Sequence, residues 1–251
     1  MAQGKISVDE AERALKLDFI ENVSNVARLD VGRELRRGVP EIILAEGKST
    51  DDLSAICSGM VEKAGHAVVS RLGDEQLSRL ETTFGENCEL RRFKHARSLV
   101  IRRGDYQGLK KGGRVGILTA GTADLPVAEE AAMIAEEMGC TVYLEPDVGV
   151  AGIHRLVEPL SRMIQNDVDA LIVVAGREGA LPTVVAGLVD LPLIAVPASS
   201  GYGYGGRGQA ALMAMLQACS LGLAVVNIDA GIAAGVVAAQ IANRASRARN
   251  A

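Results

Sequence analysis

The sequence predicts an α/β protein: a three-layer domain with a parallel sheet in residues 113–251, preceded by a smaller α+β domain in residues 1–112. In the longer part, short apolar runs alternate with segments of helical periodicity, which is the order expected of consecutive β–α units. Apolar residues make up 48% of the chain and aromatic residues only 3%. Aliphatic side chains must therefore form the core, as in parallel strands covered by alanine-rich helices. The Lys110–Gly113 segment is the predicted linker.

The smaller domain is predicted to be rich in charge and to mix helices with strands. Ser49 or Thr50 is the predicted N-cap of one helix, and Asp51 and Asp52 follow in its first turn, where the helix dipole favours carboxylates. The spacing of apolar residues predicts further helices before and after this point. The predicted elements are a helix over 8–25, a charged loop over 29–40, a strand over 41–44, the capped helix, a strand over 66–72 and a helix over 74–84.

Five strand–helix pairs are predicted in the larger domain, which makes the sheet parallel and places helices on both of its faces. Functional sites of such sheets form in the loops that follow the carboxyl ends of the strands, so the chemistry is expected there. The predicted strands are 115–118, 141–144, 170–174, 193–196 and 224–228, and the predicted helices are 126–138, 153–166, 181–189, 209–217 and 232–243.

Composition and charge argue against several classes of protein. A net charge of −4 is unlike a dedicated nucleic-acid binder, which would carry a basic face. The cysteines at 57, 88, 140 and 219 form no Cys-x-x-Cys pair, so neither a disulfide framework nor a zinc site is expected. The most apolar stretch, 210–242, is broken by polar residues and is typical of a buried core rather than a membrane span. Because no apolar leader follows Met1, we expect a cytoplasmic protein that contacts neither nucleic acid nor membrane.

The loop after the first strand of the larger domain, 119–126, is built largely from small residues that let the backbone approach a ligand. The helix that follows offers free N–H groups to a phosphate, and Pro126 suits its first turn. Asp124 is either an ordinary N-cap or a ligand-binding carboxylate, and its spacing alone favours the cap.

Later loops carry further charged or flexible residues. His154 stands where the loop after the second strand becomes a helix, as a packing residue or a proton carrier. Arg177 and Glu178 follow an apolar strand, either as a mutual ion pair or as functional groups. Residues 197–208 include five glycines and predict a long flexible lid. Cys219, between a helix and the last strand, would by residue type alone be an inert core thiol.

These segments resemble a known family. Residues 115–132 resemble the ligand loop of the PurE-type carboxylases and mutases of purine biosynthesis, and His154-Arg155 falls at their Ala-His-Arg motif. The closer resemblance is to the LarB family, PurE relatives that begin nickel-pincer nucleotide cofactor synthesis. This chain departs from that family at Ser220-Leu221, where Ala-Pro is common, and at Ala230, where Asn is common. The segments that carry the resemblance are 147–156, 176–182, 201–203, Cys219 and 225–229, with Leu29-Asp30, Arg33, Arg36, Gly38, Pro40-Glu41 and 46–48 in the smaller domain.

The resemblance implies an enzyme that carboxylates C5 of the pyridinium ring of nicotinic acid adenine dinucleotide with carbon dioxide or bicarbonate and hydrolyses the phosphoanhydride. The products would be pyridinium-3,5-biscarboxylic acid mononucleotide and AMP. A divalent cation, Mg²⁺ first, would assist, with no organic cofactor. The implied catalytic residues are Cys219 as nucleophile, Glu178 as base, and Asp147, His154 and Asp124 for phosphate, metal or proton handling. The implied substrate-binding residues are Gly121, Thr122, Asp124, Leu125, Pro126, Arg177, Gly179, Gly201, Tyr202, Gly203, Asn227 and Asp229.

Two other functions stay open. A PurE-like mutase or carboxylase acting on aminoimidazole ribonucleotide would need no nucleophilic cysteine, and a non-catalytic nucleotide sensor would bind without turnover. We expect the charged stretch 30–48 to cover the strand-end loops, because those loops hold few cations. We also expect a homo-oligomer, joined through the small side chains of 231–242.

Overall fold

The computed structural model describes residues 20–23, 27–30 and 32–250. The chain divides into two compact units, with the division between Gln107 and Gly108. Within the described residues, no helix combines the length and the apolar character needed to cross a membrane. The elements of the first unit are β1 (Ile20–Val23), β2 (Ala27–Asp30), α1 (Arg33–Arg37), β3 (Ile42–Leu44), α2 (Thr50–Ala64), β4 (His66–Ser70), α3 (Asp74–Phe84), β5 (Cys88–Phe93) and β6 (Ser98–Arg103).

A four-stranded sheet organises the first unit, in the order β3-β4-β6-β5. β3 runs parallel to β4, and the other neighbouring strands are antiparallel. α2 and α3 bury an apolar core against the sheet, in which Leu53 and Leu80 are fully enclosed. The predicted N-cap of α2 is confirmed, because Ser49 Oγ accepts a hydrogen bond from the Asp52 N–H at 3.1 Å.

The helix predicted over 8–25 is wrong where the structure describes it. Ile20–Val23 form β1, which pairs antiparallel with β2, and the rest of the predicted span lies outside the described residues. Hydrogen bonding to a neighbouring segment outweighs the helical spacing, and spacing within one segment cannot reveal that partner. The predicted loop over 29–40 likewise contains the end of β2 and the short helix α1. β5 and β6 have no counterpart among the predicted elements, because charged residues obscure the alternation of β5.

The second unit is the predicted α/β domain, and its five predicted strands and five predicted helices are all present. The last strand is shorter than predicted and the last helix extends farther, to Arg249. The elements are β7 (Arg114–Thr119), α4 (Leu125–Glu137), β8 (Thr141–Glu145), α5 (His154–Gln165), β9 (Ala170–Ala175), α6 (Ala180–Ala186), β10 (Leu193–Pro197), α7 (Gln209–Leu216), β11 (Leu223–Val225) and α8 (Gly231–Arg249), with 3-10 turns at Thr122–Asp124 and Val150–Gly152.

The five strands form one parallel sheet in the order β11-β10-β9-β7-β8. α5, α6 and α7 cover one face through a shared apolar core that includes Leu156, Val185 and Met215. α4 and α8 pack against each other and against β7 and β9. Successive side chains of a strand point to opposite faces of the sheet, so β7 and β9 have a second face to bury. α4 and α8 contribute no residue to the core on the first face, so they form the layer on the second. The predicted fold class, three layers around a parallel sheet, is confirmed.

The small side chains of α8 are used within the chain. A Cβ added at Gly231 would lie 2.2 Å from the Val127 carbonyl oxygen, and one added at Gly235 would lie 2.5 Å from that of Ala131. Gly231 and Gly235, two of the small residues expected to join two copies, therefore pack against α4 within the chain. The periodic small residues correctly predicted close helix packing, but such a pattern does not indicate whether the partner helix belongs to the same chain or to another copy.

Candidate active site

The strand order creates a crevice at the carboxyl edge of the parallel sheet. β7 lies between β8 and β9, so the chain leaves β7 toward one side and β9 toward the other, and ligands of such folds bind where these loops diverge. A cavity of about 410 Å³ lies there, lined by the loops after β7, β8, β9 and β10, within the size range of small-molecule sites. Its polar side chains are Asp124, Arg155, Arg177, Glu178, Ser200 and Tyr202.

Asp124 is a buried carboxylate in this cavity, with 4% of its surface exposed. It stands at the N-cap position of α4, but its side chain makes no capping hydrogen bond to that helix. Ser200 Oγ donates to Asp124 Oδ1 at 2.5 Å, and the Gly121 N–H donates to Oδ2 at 3.0 Å. Burial raises the pKa of Asp124, although these donors act in the opposite direction. Asp124 therefore combines two roles: its Oδ2 closes the 3-10 turn Thr122–Asp124 through the Gly121 N–H, and the carboxylate lines the cavity.

Arg155 enters the cavity from the first turn of α5. Its guanidinium donates to Asp147 Oδ2 at 2.6 Å, and the Asp147 N–H donates to Thr119 Oγ1 at 3.2 Å. This chain of contacts ties the loop after β8 to the end of β7. His154 is the first residue of α5, is exposed, and does not line the cavity.

Arg177 and Glu178 both line the cavity and are exposed, and they form no ion pair with each other. The Arg177 guanidinium instead lies over the Tyr202 ring, with its carbon 4.2 Å from the ring centroid. Glycines bring the two loops together: a Cβ at Gly201 would lie 2.5 Å from the Arg177 backbone nitrogen, and one at Gly176 would lie 2.4 Å from Ser200 Oγ. The loops after β9 and β10 therefore position each other.

The loops at this edge of the sheet hold unusual backbone conformations. Asp147, Arg177, Arg207 and Asp229, in the loops after β8, β9, β10 and β11, have φ of 60°, 50°, 57° and 54°. Non-glycine residues in this region cost conformational energy and are enriched at functional sites. Asp229 is further held in place, because its Oδ1 accepts the Ser199 N–H at 2.8 Å.

Cys219 lies at the opposite edge of the sheet. It precedes β11, which runs parallel to β10, so it stands at the amino end of the sheet whereas the cavity is at the carboxyl end. Its neighbour Ser220 donates to the carbonyl of Thr183 in α6 at 2.8 Å. Cys219 is exposed, in contrast to the buried core thiol that residue type suggests. It does not line the cavity within one chain.

The structure brings together some of the predicted site residues and separates others. Arg155 and Ser200 were not among the site residues predicted from the sequence, although both belong to segments predicted to follow strands. The position of Arg155 next to His154 could have indicated it. The predicted residues that line the cavity are Gly121, Asp124, Arg177, Glu178 and Tyr202. Those outside the lining are Thr122, Leu125, Pro126, Asp147, His154, Gly179, Gly201, Gly203, Cys219, Asn227 and Asp229.

The fit of a metal ion depends on the carboxylates at this edge. Among the described residues, no three histidine, cysteine, aspartate or glutamate side chains are grouped as a protein metal site would need. Mg²⁺ is commonly held by one or two carboxylates together with substrate phosphates. Asp147 and Glu178 are exposed carboxylates near the cavity and fit that mode of binding.

Known proteins resemble both units. Residues 20–103 match the LarB/PurE-like N-terminal domain. A protein of Methanocaldococcus jannaschii, described as uncharacterized protein MJ0165, is 46% identical over 241 residues, which cover 95% of this chain and 93% of that protein.

Mutases are also similar to part of the chain. The N5-carboxyaminoimidazole ribonucleotide mutase of M. jannaschii is 35% identical over 127 residues, covering 50% of this chain and 76% of the mutase. The Thermotoga maritima mutase is 33% identical over 88 residues, covering 34% of this chain and 49% of that protein. Residues 114–250, more than half of the 251-residue chain, match AIR carboxylase. The chain therefore belongs to the AIR carboxylase (PurE-like) family.

Proposed function

We propose that this protein carboxylates C5 of the pyridinium ring of nicotinic acid adenine dinucleotide and hydrolyses its phosphoanhydride, releasing pyridinium-3,5-biscarboxylic acid mononucleotide and AMP. Two observations together carry the proposal. The chain contains an AIR carboxylase domain, and the carboxylate of Glu178 and the guanidinium of Arg177 are exposed in the cavity at the carboxyl edge of its sheet. The match of the first unit to the LarB/PurE-like N-terminal domain supports the same assignment.

The chemistry requires a nucleophile. A pyridinium ring is electron-poor and does not attack carbon dioxide. Addition of a thiolate to a ring carbon gives a dihydropyridine whose C5 is nucleophilic and forms the new C–C bond to carbon dioxide. A base then removes the C5 proton, and the electron pair of that C–H bond restores the aromatic ring as the thiolate leaves. In the proposal Cys219 is the thiolate and Glu178 is the base.

Exposure distinguishes the cysteines. Cys57 and Cys140 are buried, and burial raises their pKa to about 12 and about 11. Cys88 is partly buried and its pKa is also raised, first by burial. Cys219 is the exposed thiol of the four. Accessibility therefore supports Cys219 as the nucleophile.

Geometry adds one requirement. Cys219 and Glu178 lie at opposite edges of the sheet in one chain, so the reaction would need Cys219 of a second copy at each cavity. Exposed apolar residues flank Cys219 in the sequence: Leu216 is 64% exposed and Leu221 is 91% exposed. Such side chains are typical of surfaces that another protein covers. The proposed homo-oligomer would thus be joined near Cys219 and not through α8.

The dinucleotide brings negative charge to the cavity. Arg155 lies in the lining and would contact a phosphate, and Asp147 would turn from Arg155 toward a divalent cation bound with the phosphates. When bound, Mg²⁺ would neutralise the phosphoanhydride and ease attack by water. Burial raises the pKa of Asp124, so this carboxyl holds a proton more readily than an ordinary one. Asp124 is therefore the proposed proton donor in the cavity.

The test is product analysis. The full chain is incubated with nicotinic acid adenine dinucleotide, bicarbonate and Mg²⁺, and the products are identified by mass spectrometry with ¹³C-labelled bicarbonate. We expect AMP and a mononucleotide that carries the label. Unchanged dinucleotide, under conditions in which it binds, would contradict the proposal and favour the sensor.

A second candidate is carboxylase or mutase activity on aminoimidazole ribonucleotide. The similarity to the two mutases favours it, and it would leave Cys219 without a chemical role. The same incubation with aminoimidazole ribonucleotide or its N5-carboxy form in place of the dinucleotide separates the two. Turnover that persists in a Cys219→Ala variant would identify the mutase.

A further inference from the structure

We propose that Arg177 binds the carboxylate on the pyridinium ring of the substrate and so selects a pyridine carboxylic acid over its amide, with Tyr202 as the residue that positions it. This inference rests on the proposed function and names the residue that determines its substrate specificity.

The Arg177 guanidinium forms no ion pair with a carboxylate among the residues that the structure describes, although Asp124 and Glu178 line the same cavity. Asp147 is paired with Arg155, and Asp124 is held by Ser200 and Gly121. A guanidinium offers a planar fork of donors that fits a carboxylate in two parallel hydrogen bonds. An unpaired guanidinium in a cavity is therefore suited to an anionic ligand group.

Stacking on Tyr202 limits the freedom of Arg177. The guanidinium carbon lies 4.2 Å from the ring centroid, and stacking on its face leaves the edge of the fork, with its N–H donors, free to bind. The backbone of Arg177 is held as well, since its φ is 50° and Gly201 lies against its nitrogen. A donor held before binding loses less entropy when the ligand arrives.

The neighbouring tyrosines suit a planar ligand. The chain has only four tyrosines, three phenylalanines and no tryptophan, yet Tyr202 and Tyr204 stand together in the loop after β10, 77% and 111% exposed. A buried aromatic side chain would stabilise the core, and this chain has few aromatic residues to use in that way. Tyr202 lines the cavity, so its exposure is consistent with contact to a heteroaromatic ring.

The order of the residues fits the substitution pattern of the ring. Glu178 is the proposed base at C5, and the existing carboxylate is on C3, which is separated from C5 by one ring atom, C4. Arg177 and Glu178 are consecutive, with Cα atoms about 3.8 Å apart. Two consecutive side chains that both line one cavity can therefore address two positions of one ring that are separated by a single ring atom.

The experiment measures binding of nicotinic acid adenine dinucleotide and of nicotinamide adenine dinucleotide to the full chain by calorimetry. The two differ in the carboxylate and share both phosphates. Arg177→Met should weaken binding of the acid by about tenfold to a hundredfold, the range expected for a lost charge-assisted hydrogen bond. Binding of the amide should change by less than about threefold, well under one such bond. Arg177→Lys keeps the charge without the fork and should fall between, and Tyr202→Leu should reduce the preference while the charge remains.

Each outcome decides the assignment. Equal losses for acid and amide in Arg177→Met would show that Arg177 contacts a phosphate and would overturn it. A wild-type protein without preference for the acid would overturn it as well. A wild-type protein that binds neither dinucleotide would overturn the proposed function together with this assignment. Turnover of the acid by the wild type, with preference intact in Arg177→Met, would overturn the assignment alone.

Discussion

Ser200 donates a hydrogen bond to Asp124 Oδ1 at 2.5 Å and so joins the loop after β10 to the loop after β7. The two residues are 76 positions apart in the chain. They meet because both loops leave the carboxyl edge of one parallel sheet. The contact fixes a buried carboxylate at the cavity while its pKa is raised by burial.

The first prediction concerns pH. Because the native pKa of Asp124 is raised, the folded chain holds this proton to a higher pH than the unfolded chain. The contribution of Asp124 to the free energy of unfolding should then fall as pH rises from the ordinary carboxyl pKa of about 3.9 through the raised native value. Asp124→Asn removes this dependence, so its stability relative to wild type should rise over that window. Urea unfolding across the window measures both; parallel profiles would contradict the prediction.

Ser200→Ala is the matched variant for the pH range over which the contribution of Asp124 to stability falls. The Ser200 hydroxyl lowers the Asp124 pKa, in opposition to burial. Without it the native pKa should be higher, so the fall in stability should extend to higher pH than in wild type. A window that moves to lower pH would contradict the assignment of Ser200 as a group that lowers the Asp124 pKa.

The second prediction concerns thiol reactivity. Iodoacetamide at about pH 8 should modify Cys219 first, because reaction needs an accessible thiolate. Cys57 and Cys140 should react only on unfolding, since burial holds their pKa at about 12 and about 11. Peptide mass spectrometry over time measures each site, and urea-unfolded protein is the control. Faster labelling of Cys57 than of Cys219 in the native chain would contradict this order.

The third prediction separates the two proposed catalytic residues. Cys219→Ser should lose carboxylation by several orders of magnitude, because a serine hydroxyl is a poor nucleophile at neutral pH. Glu178→Gln should still form the thiolate adduct but lack the base for the C5 proton, so an adduct on Cys219 should accumulate. Rates and intact mass measure these effects, with dinucleotide affinity as the control for folding. Near-normal carboxylation by Cys219→Ser would show that Cys219 is not the nucleophile.

Mixing the two inactive variants tests whether Cys219 comes from a second copy. If two copies exchange this thiol symmetrically, a mixed pair contains one site with both native residues. Unfolding and refolding an equal mixture should then recover about a quarter of wild-type activity, since half the pairs are mixed and half of their sites are complete. Absence of recovery, once mixed species are demonstrated by native mass spectrometry, would contradict a site that combines Cys219 of one copy with Glu178 of another.

The fourth prediction concerns the packing of α8 on α4. Alanine in place of a helical glycine usually stabilises a helix by about 1 kcal/mol. At Gly235 the added Cβ would meet the Ala131 carbonyl oxygen at 2.5 Å, so Gly235→Ala should destabilise the fold by about 1–3 kcal/mol. Ala233→Gly, at an exposed position of the same helix, should cost about 1 kcal/mol through helix propensity alone. Urea unfolding compares the two; a stabilised Gly235→Ala would disprove the tight contact.

The fifth prediction concerns the first unit. The sequence suggests that its charged stretch contributes to the site, so removal of residues 1–110 should abolish turnover even if the remainder folds. Within that stretch Arg33 is paired with Glu41 and Arg36 with Asp30, and Lys48 donates to the Leu44 carbonyl at 2.7 Å. Arg37 is therefore the cation to test. Arg37→Gln should weaken substrate binding without loss of stability. Full activity of the folded, truncated chain would exclude any role of the first unit in turnover.

The parallel sheet and the loops in which a site could form follow from local patterns in the sequence. Apolar runs and helical periodicity are local properties, so the strands from β7 to β11 and the helices between them could be predicted from neighbouring residues alone. The rule that sites follow the carboxyl ends of parallel strands then led to Asp124, Arg177 and Glu178, which line the cavity.

The other features depend on contacts between segments that are distant along the chain, so they could be seen only in the folded protein. Strand pairing made a strand of Ile20–Val23, where local spacing predicted a helix. The contact between Ser200 and Asp124 spans several elements. The direction of β11 placed Cys219 at the edge opposite the cavity. No local pattern records which edge of a sheet a loop will reach, since that depends on how all five strands are ordered.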